Sequence, residues 1–74
     1  DAGVRMYPNP FRSELMIEGS ATRIEIYNIL GQEVMRIENY AGGAIQTAAL
    51  TRGIYVIKAF DGEHLLKSSR LLKD

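Results

Sequence analysis

His64 is the only histidine in the chain, and Asp61, Ser68 and Ser69 lie close to it in sequence. An acid, a base and a hydroxyl are the parts of a nucleophilic triad, but they work only when the base bonds the hydroxyl and a third group orients the base. Crowded beside an Asp61-Gly62 turn, this histidine fits a solvated surface position better than a catalytic one. Paired carboxylates fare no better. Glu14, Glu18, Glu25, Glu33 and Glu38 are spread over separate strand-like runs, mostly on the polar phase, as expected of solvated faces rather than an acid–base pair. With no Cys, no second His and no Asp-rich loop, no metal-ligand spacing exists. Gly42-Gly43 does not join a strand to a helix, so it reads as a flexible loop and not a phosphate cradle. Tyr7, Phe11, Tyr27, Tyr40, Tyr55 and Phe60 are the material of a base-stacking platform, yet no basic residues cluster round them. Core and corner packing is expected of them instead. The expectation is a chain without catalysis, cofactor, metal, nucleic-acid partner or small-molecule substrate.

The elements that would carry any such residues are constrained by size. Seventy-four residues make one domain at most, and without Cys its stability rests on packing alone, a few kcal/mol. Nine basic and nine acidic residues cancel and are interspersed, leaving no electrostatic footprint for nucleic acid or an anionic membrane surface. The apolar runs are too short to span a bilayer. Asp1-Ala2-Gly3 leads straight into strand-like sequence without a signal peptide, so a single domain over residues 1–74, excised from the end of something larger, is expected. Absence of Cys suits the cytosol and equally an exported protein.

The hydrophobic period is two nearly throughout. "VRMY" (4–7), "ELMIE" (14–18) and "ATRIEIYN" (21–28) read as strands. "NILG" supplies a turn, with Gly31 where positive φ is favoured, and "QEVMRIE" returns. Residues 23–38 form a hairpin with Ile26 opposite Val34. Ile24 would then face Arg36, so a bulge is expected. "AIQTA" is a weak strand after a loop over 39–43. "GIYVIKAF" (53–60) has apolar residues in both phases, as a central, doubly packed strand would. In the tail, 63–74, Leu65, Leu66 and Leu72 would line one side of a short helix. A bulged strand returning to 53–60 through Asp61-Gly62 is preferred. About seven short strands point to an all-β fold, a small antiparallel immunoglobulin-like β-sandwich. Tyr55, two residues after Gly53 at the head of the best strand, has the spacing of that fold's tyrosine corner.

"YPNPF" (7–11) adds a stiff segment. Pro8 and Pro10 lack N–H groups, and Tyr7 and Asn9 are pushed toward extended geometry, so an extended, one-sided piece at a sheet edge or corner is expected.

With "IEIYNILGQEV" in the middle and "LTRGIYVIK" before a basic, leucine-rich end, the chain closely resembles the type A C-terminal sorting domain of the type IX (Por) secretion system, over essentially its whole length. The resemblance implies an immunoglobulin-like sandwich at the C-terminus of exported proteases, glycosidases and adhesins. It further implies recognition by an outer-membrane translocon, delivery to the cell surface or medium, and removal by a surface sortase-like peptidase that commonly joins the cargo to an anionic lipopolysaccharide. Cleavage would fall ahead of this domain. By the same resemblance, the Pro-Asn-Pro motif falls on Pro8, Asn9 and Pro10, and the Asn-x-x-Gly turn on Asn28 and Gly31. The Leu-x-x-Gly-x-Tyr motif falls on Leu50, Gly53 and Tyr55, and the terminal basic residues on Lys67, Arg70 and Lys73. Closing on Asp74 departs from the family's lysine-containing apolar end.

Each motif carries two readings. The prolines protect an edge from unwanted pairing, or they mark a fixed landmark for the translocon. Gly31, Gly53 and Tyr55 shape the fold. Lys67, Arg70 and Lys73 form a solvated strand face, or a terminal edge that docks by strand addition. The competing functions are an adhesive or carbohydrate-binding sandwich, which would want an exposed aromatic strip or a calcium loop, and a structural spacer.

Overall fold

A computed structural model describes residues 3–74, so the lead-in expected at Asp1 and Ala2 lies outside the described residues. Seven strands follow in order: β1 (Arg5–Tyr7), β2 (Glu14–Glu18), β3 (Arg23–Tyr27), β4 (Glu33–Glu38), β5 (Ala44–Gln46), β6 (Gly53–Asp61) and β7 (His64–Lys73). They form two antiparallel sheets, β1-β2-β5 and β4-β3-β6-β7. Two-residue alternation aims Leu15, Ile17 and Ile45 from the first sheet at Ile24, Ile26, Ile57, Ala59 and Leu71 from the second, and all of these are buried. The strand order is that of an immunoglobulin-like sandwich whose fourth strand joins the sheet of β3, β6 and β7.

The β3–β4 hairpin carries the expected bulge, but its register differs from the expected one. Ile26 pairs with Met35 and Ile24 with Ile37, and Val34 is the extra residue between Met35 and Glu33. Directly opposed residues share a face, so this register turns Met35 and Ile37 toward the core and leaves Val34 exposed. The expected pairing would have set Arg36 beside the buried Ile24.

Strand β6 is interior to its sheet, between β3 and β7, but only one of its faces is packed. Tyr55, Ile57 and Ala59 are buried, whereas Val56, Lys58 and Phe60 are half-buried and Ile54 is exposed. A two-layer sandwich has no third layer to cover the outside of either sheet, so the expected double packing does not occur.

The tail is a strand, with Leu66 bulged between Lys67, which pairs with Ala59, and Leu65, which pairs with Phe60. Asp61 pairs with His64, placing the two-residue loop at Gly62-Glu63, one position later than expected.

"YPNPF" bends instead of running extended. Its peptide bonds Tyr7-Pro8 and Asn9-Pro10 are both cis. Tyr7 pairs with Met16 in the three-stranded sheet, while Phe11 forms a parallel bridge with Lys73 in the other sheet. The chain changes sheets at Pro8-Asn9-Pro10, where no ladder runs and missing N–H groups leave nothing unpaired.

On the outer face of the four-stranded sheet, Glu25 is buried beneath its neighbours. The Tyr27 hydroxyl donates to its Oε1 at 2.5 Å, Arg23 Nε donates to Oε2 at 2.9 Å, and Arg36 Nη2 lies 3.5 Å from Oε2. Lys58 is its register partner on β6. The hydrogen bond from Tyr27, aided by Arg23 and Arg36, holds the Glu25 carboxyl below the usual glutamate value although burial opposes this. A depressed folded-state pKa stabilises the fold above the unfolded value of about 4.3, and that contribution is lost as pH falls below it. The stability difference between the native chain and Glu25→Gln should therefore shrink steadily below about pH 4.3. Urea midpoints of both proteins across pH 3–7 check this; a difference that grows on acidification would contradict the assignment.

Candidate recognition site

Strands β3 and β7 end, and β6 begins, at one pole of the sandwich, and three of the sequence motifs meet there. The Pro-Asn-Pro bend delivers Phe11 to the last residues of β7. Phe11 N donates to Leu72 O at 2.9 Å, and Asp74 N donates to Phe11 O at 2.8 Å. Leu72 N donates to Asn9 Oδ1 at 3.0 Å. Neither proline can supply a main-chain donor here, and the Asn9 side chain provides the acceptor that β7 needs. An ion pair between Arg12 and Asp74 at 3.1 Å, mostly solvent-exposed, closes the arrangement. The backbone over 72–74, the terminal edge that one of the two readings offered for strand addition, is therefore already occupied by residues 9–11.

The Phe11 ring is fully buried and packs on Tyr55 with centroids 6.2 Å apart, tilted by 59°. The Tyr55 hydroxyl donates to Thr51 O at 2.7 Å and lies 3.2 Å from Thr51 Oγ1, which pins the preceding turn as a tyrosine corner does. Gly53 enters β6 at φ 149°, a backbone conformation that side-chain-bearing residues rarely adopt. Leu50 N donates to Thr47 O, and its side chain packs against the core. Tyr55→Phe keeps the ring packing and strands the Thr51 carbonyl, so a loss of about 1 kcal/mol is expected in denaturant unfolding. A neutral effect would show that the hydroxyl holds nothing.

The third motif closes the β3–β4 turn beside these residues. Asn28 Oδ1 accepts from both Leu30 N and Gln32 N at 3.0 Å, and Gly31 N donates to Asn28 O with Gly31 at φ 82°. An asparagine that caps its own turn and a glycine at positive φ are what this tight reversal requires. Ile29 and Leu30 are left at its tip, 73% and 78% exposed.

The three terminal cations do not share a face. Lys67 and Lys73 lie in the phase of Leu71, which points inward, and Arg70 lies in the other. Lys67 is half-buried, its Nζ donating to Val4 O at 3.1 Å. Lys73 is only 7% exposed. Arg70 alone is on the outer surface, where with Tyr27, Ile29, Ile54, Val56 and Lys58 it lines a groove of about 500 Å³.

Sequence reasoning missed two polar anchors. Thr47 is fully buried, its Oγ1 donating to Arg12 O at 2.8 Å and its N donating to Ser13 O at 2.8 Å, which ties the β5–β6 connection to the pole. Tyr40 places its hydroxyl within hydrogen-bond distance of the Ile17 and Gly43 carbonyls. Thr47 bonds only to distant residues 12 and 13 through these groups, and Tyr40 combines Gly43 of its own loop with the distant Ile17 on β2, a pairing that no local pattern shows. His64 is exposed at the far end of β7, and no cluster able to hold a metal ion exists among the described residues.

The class is thus a small immunoglobulin-like sandwich whose motifs serve one clasped pole. The family model of the secretion system C-terminal sorting domain matches residues 5–73, and the chain belongs to that family. It carries a C-terminal sorting signal of type IX secretion. Comparison with curated proteins found no match.

Proposed function

We propose that this domain is a folded address label. The outer-membrane type IX translocon selects it, an N-terminal cargo travels with it to the cell surface or medium, and a sortase-like peptidase then removes it at a bond ahead of the domain. Membership of the sorting-domain family carries this reading. The geometry supports it: Asn9, Asn28, Gly53, Tyr55 and Arg70 gather at one pole, while Val4 meets β7 at Lys67, well away from that pole. A cargo entering through β1 would be held off the motif pole. Pro8-Asn9-Pro10 would be a landmark fixed in place by the clasp, so little ordering cost remains at docking.

A sugar-binding surface is less well supported, because the outward aromatic rings already carry cations. Arg23 lies 4.2 Å from the Phe60 centroid, Lys58 5.0 Å from that of Tyr27 and Arg5 5.2 Å from that of Tyr7.

The test is delivery of a reporter. Residues 1–74 fused to the C-terminus of a periplasm-directed reporter, in a host with this secretion system, should bring it to the cell surface or medium. Protease access on intact cells reads the outcome. A fusion whose domain is folded but which stays in the periplasm would overturn the proposal.

A further inference from the structure

We propose that the outer face of the four-stranded sheet at the motif pole is a docking groove for an extended peptide that is both acidic and aliphatic. This names the partner chemistry for the sorting reading above, and rests on that reading only for its biological setting.

Four of the six exposed large apolar residues among the described residues, Ile29, Leu30, Ile54 and Leu72, lie at this pole. Ile54 and Leu72 are register partners, so their side chains stand side by side on the outer face. Half-buried Val56 continues the strip along β6, and the Asn28–Gly31 turn raises Ile29 beside it as a wall.

Charge selects the occupant. Among the described residues, Arg5, Arg12, Arg23 and Arg36 each have a carboxylate partner. Lys67 and Lys73 turn to the main-chain oxygens of Val4 and Asp74. Arg52, Lys58 and Arg70 have no carboxylate within ion-pair distance, and all three border the groove or the depression continuing from it. The chain is neutral as a whole, yet this face is locally cationic. Asp61 and Glu63, likewise outside every ion pair, lie at the opposite pole in and beside the β6–β7 loop, and Glu14, which accepts from Gln46 Nε2, is on the other sheet. The groove therefore complements a partner bearing carboxylates next to aliphatic side chains.

The spacing favours an extended chain. Lys58 pairs with Ser68 and Val56 with Arg70, so Lys58 and Arg70 are diagonal neighbours with backbones about 7 Å apart. Residues i and i+2 of an extended peptide point the same way and are also about 7 Å apart. Two acidic residues at that spacing would meet Lys58 and Arg70, with Val56 alongside the second, and an aliphatic residue two positions further along would lie over the Ile54–Leu72 pair. Docking on the face also suits the occupied edge, since Asn9 and Phe11 already take the β7 backbone at Leu72.

The probe is a fluorescein-labelled peptide, Glu-Ser-Glu-Ser-Leu-Ser-Leu, titrated into the 74-residue chain by anisotropy at low salt. Saturable binding is expected, weakening as salt rises. Arg70→Glu, at an exposed position that leaves the fold intact by circular dichroism, should weaken it about ten-fold or more. A control peptide with Lys in place of both Glu should not bind. No saturation by about 1 mM, equal binding of the Lys peptide, an unchanged Kd for Arg70→Glu, or binding only to vesicles of anionic lipid would each overturn the groove. If peptide binding fails while the reporter fusion is still delivered, the groove assignment falls and the sorting reading stands. If the peptide binds and the folded fusion is not delivered, the groove stands and the sorting reading falls.

Discussion

Phe11→Ala is expected to leave the domain largely unfolded at room temperature. The Phe11 ring is fully buried and closes the pole against Tyr55. Truncating a buried phenylalanine to alanine costs about 3–5 kcal/mol through lost burial and the cavity left behind. A chain of this size has only about 4–11 kcal/mol of stability, and without disulfides the lower end applies. The main-chain bonds of residue 11 to Leu72 and Asp74 do not need the ring, but they hold only while the corner is packed. Urea unfolding followed by circular dichroism should show little or no native baseline for the variant, while Phe11→Leu keeps a cooperative transition. A Phe11→Ala midpoint close to that of the native chain would mean that the ring is not the anchor of the corner.

Removing residues 70–74 should be equally damaging, and this bears on how export experiments are read. The cut deletes Leu71 from the core and the partners of Gly53, Ile54, Tyr55 and Val56 in the β6–β7 ladder. It also deletes both main-chain bonds of Phe11 and the group that Asn9 accepts from. Loss of the leucine alone costs about 2–5 kcal/mol, so no cooperative unfolding transition is expected from the shortened chain. A fused reporter held in the periplasm by this truncation would then report a folding failure. Arg70→Ala, which touches neither core nor clasp, separates recognition from folding. A truncated chain that still melts cooperatively would contradict this account of the terminus.

Much of the fold was legible because it rests on local pattern. Ile24 and Ile26 alternating with Arg23 and Glu25 mark β3, and Gly53-Ile54-Tyr55 announces a corner whose hydroxyl partner, Thr51, lies four residues away. The illegible parts depend on distant partners or on counting past a bulge. Whether Lys73 points in or out depends on the parity of β7 against β6, which the bulge at Leu66 interrupts near Phe60. Asn9 was placed in its motif, but nothing local showed what its side chain bonds, because its partner, Leu72, is 63 positions away. The two apolar phases of β6 suggested packing on both sides. The outer phase instead forms much of the exposed groove, and no one-dimensional pattern separates a second core from an unoccupied surface.

The parallel bridge between Phe11 and Lys73 has a consequence in time. It joins the segment after β1 to the end of β7, so its closure waits on a loop that spans nearly all seven strands. Whether the polypeptide emerges from a ribosome or from a pore, N-terminus first, β1 to β6 can be exposed and partly paired while this contact has no partner to find. Completion of the fold is thereby tied to arrival of residues 71–74, and a chain interrupted short of them stays open at the pole. Shape at that pole therefore registers that residues 71–74 have arrived, with no reader of the sequence itself.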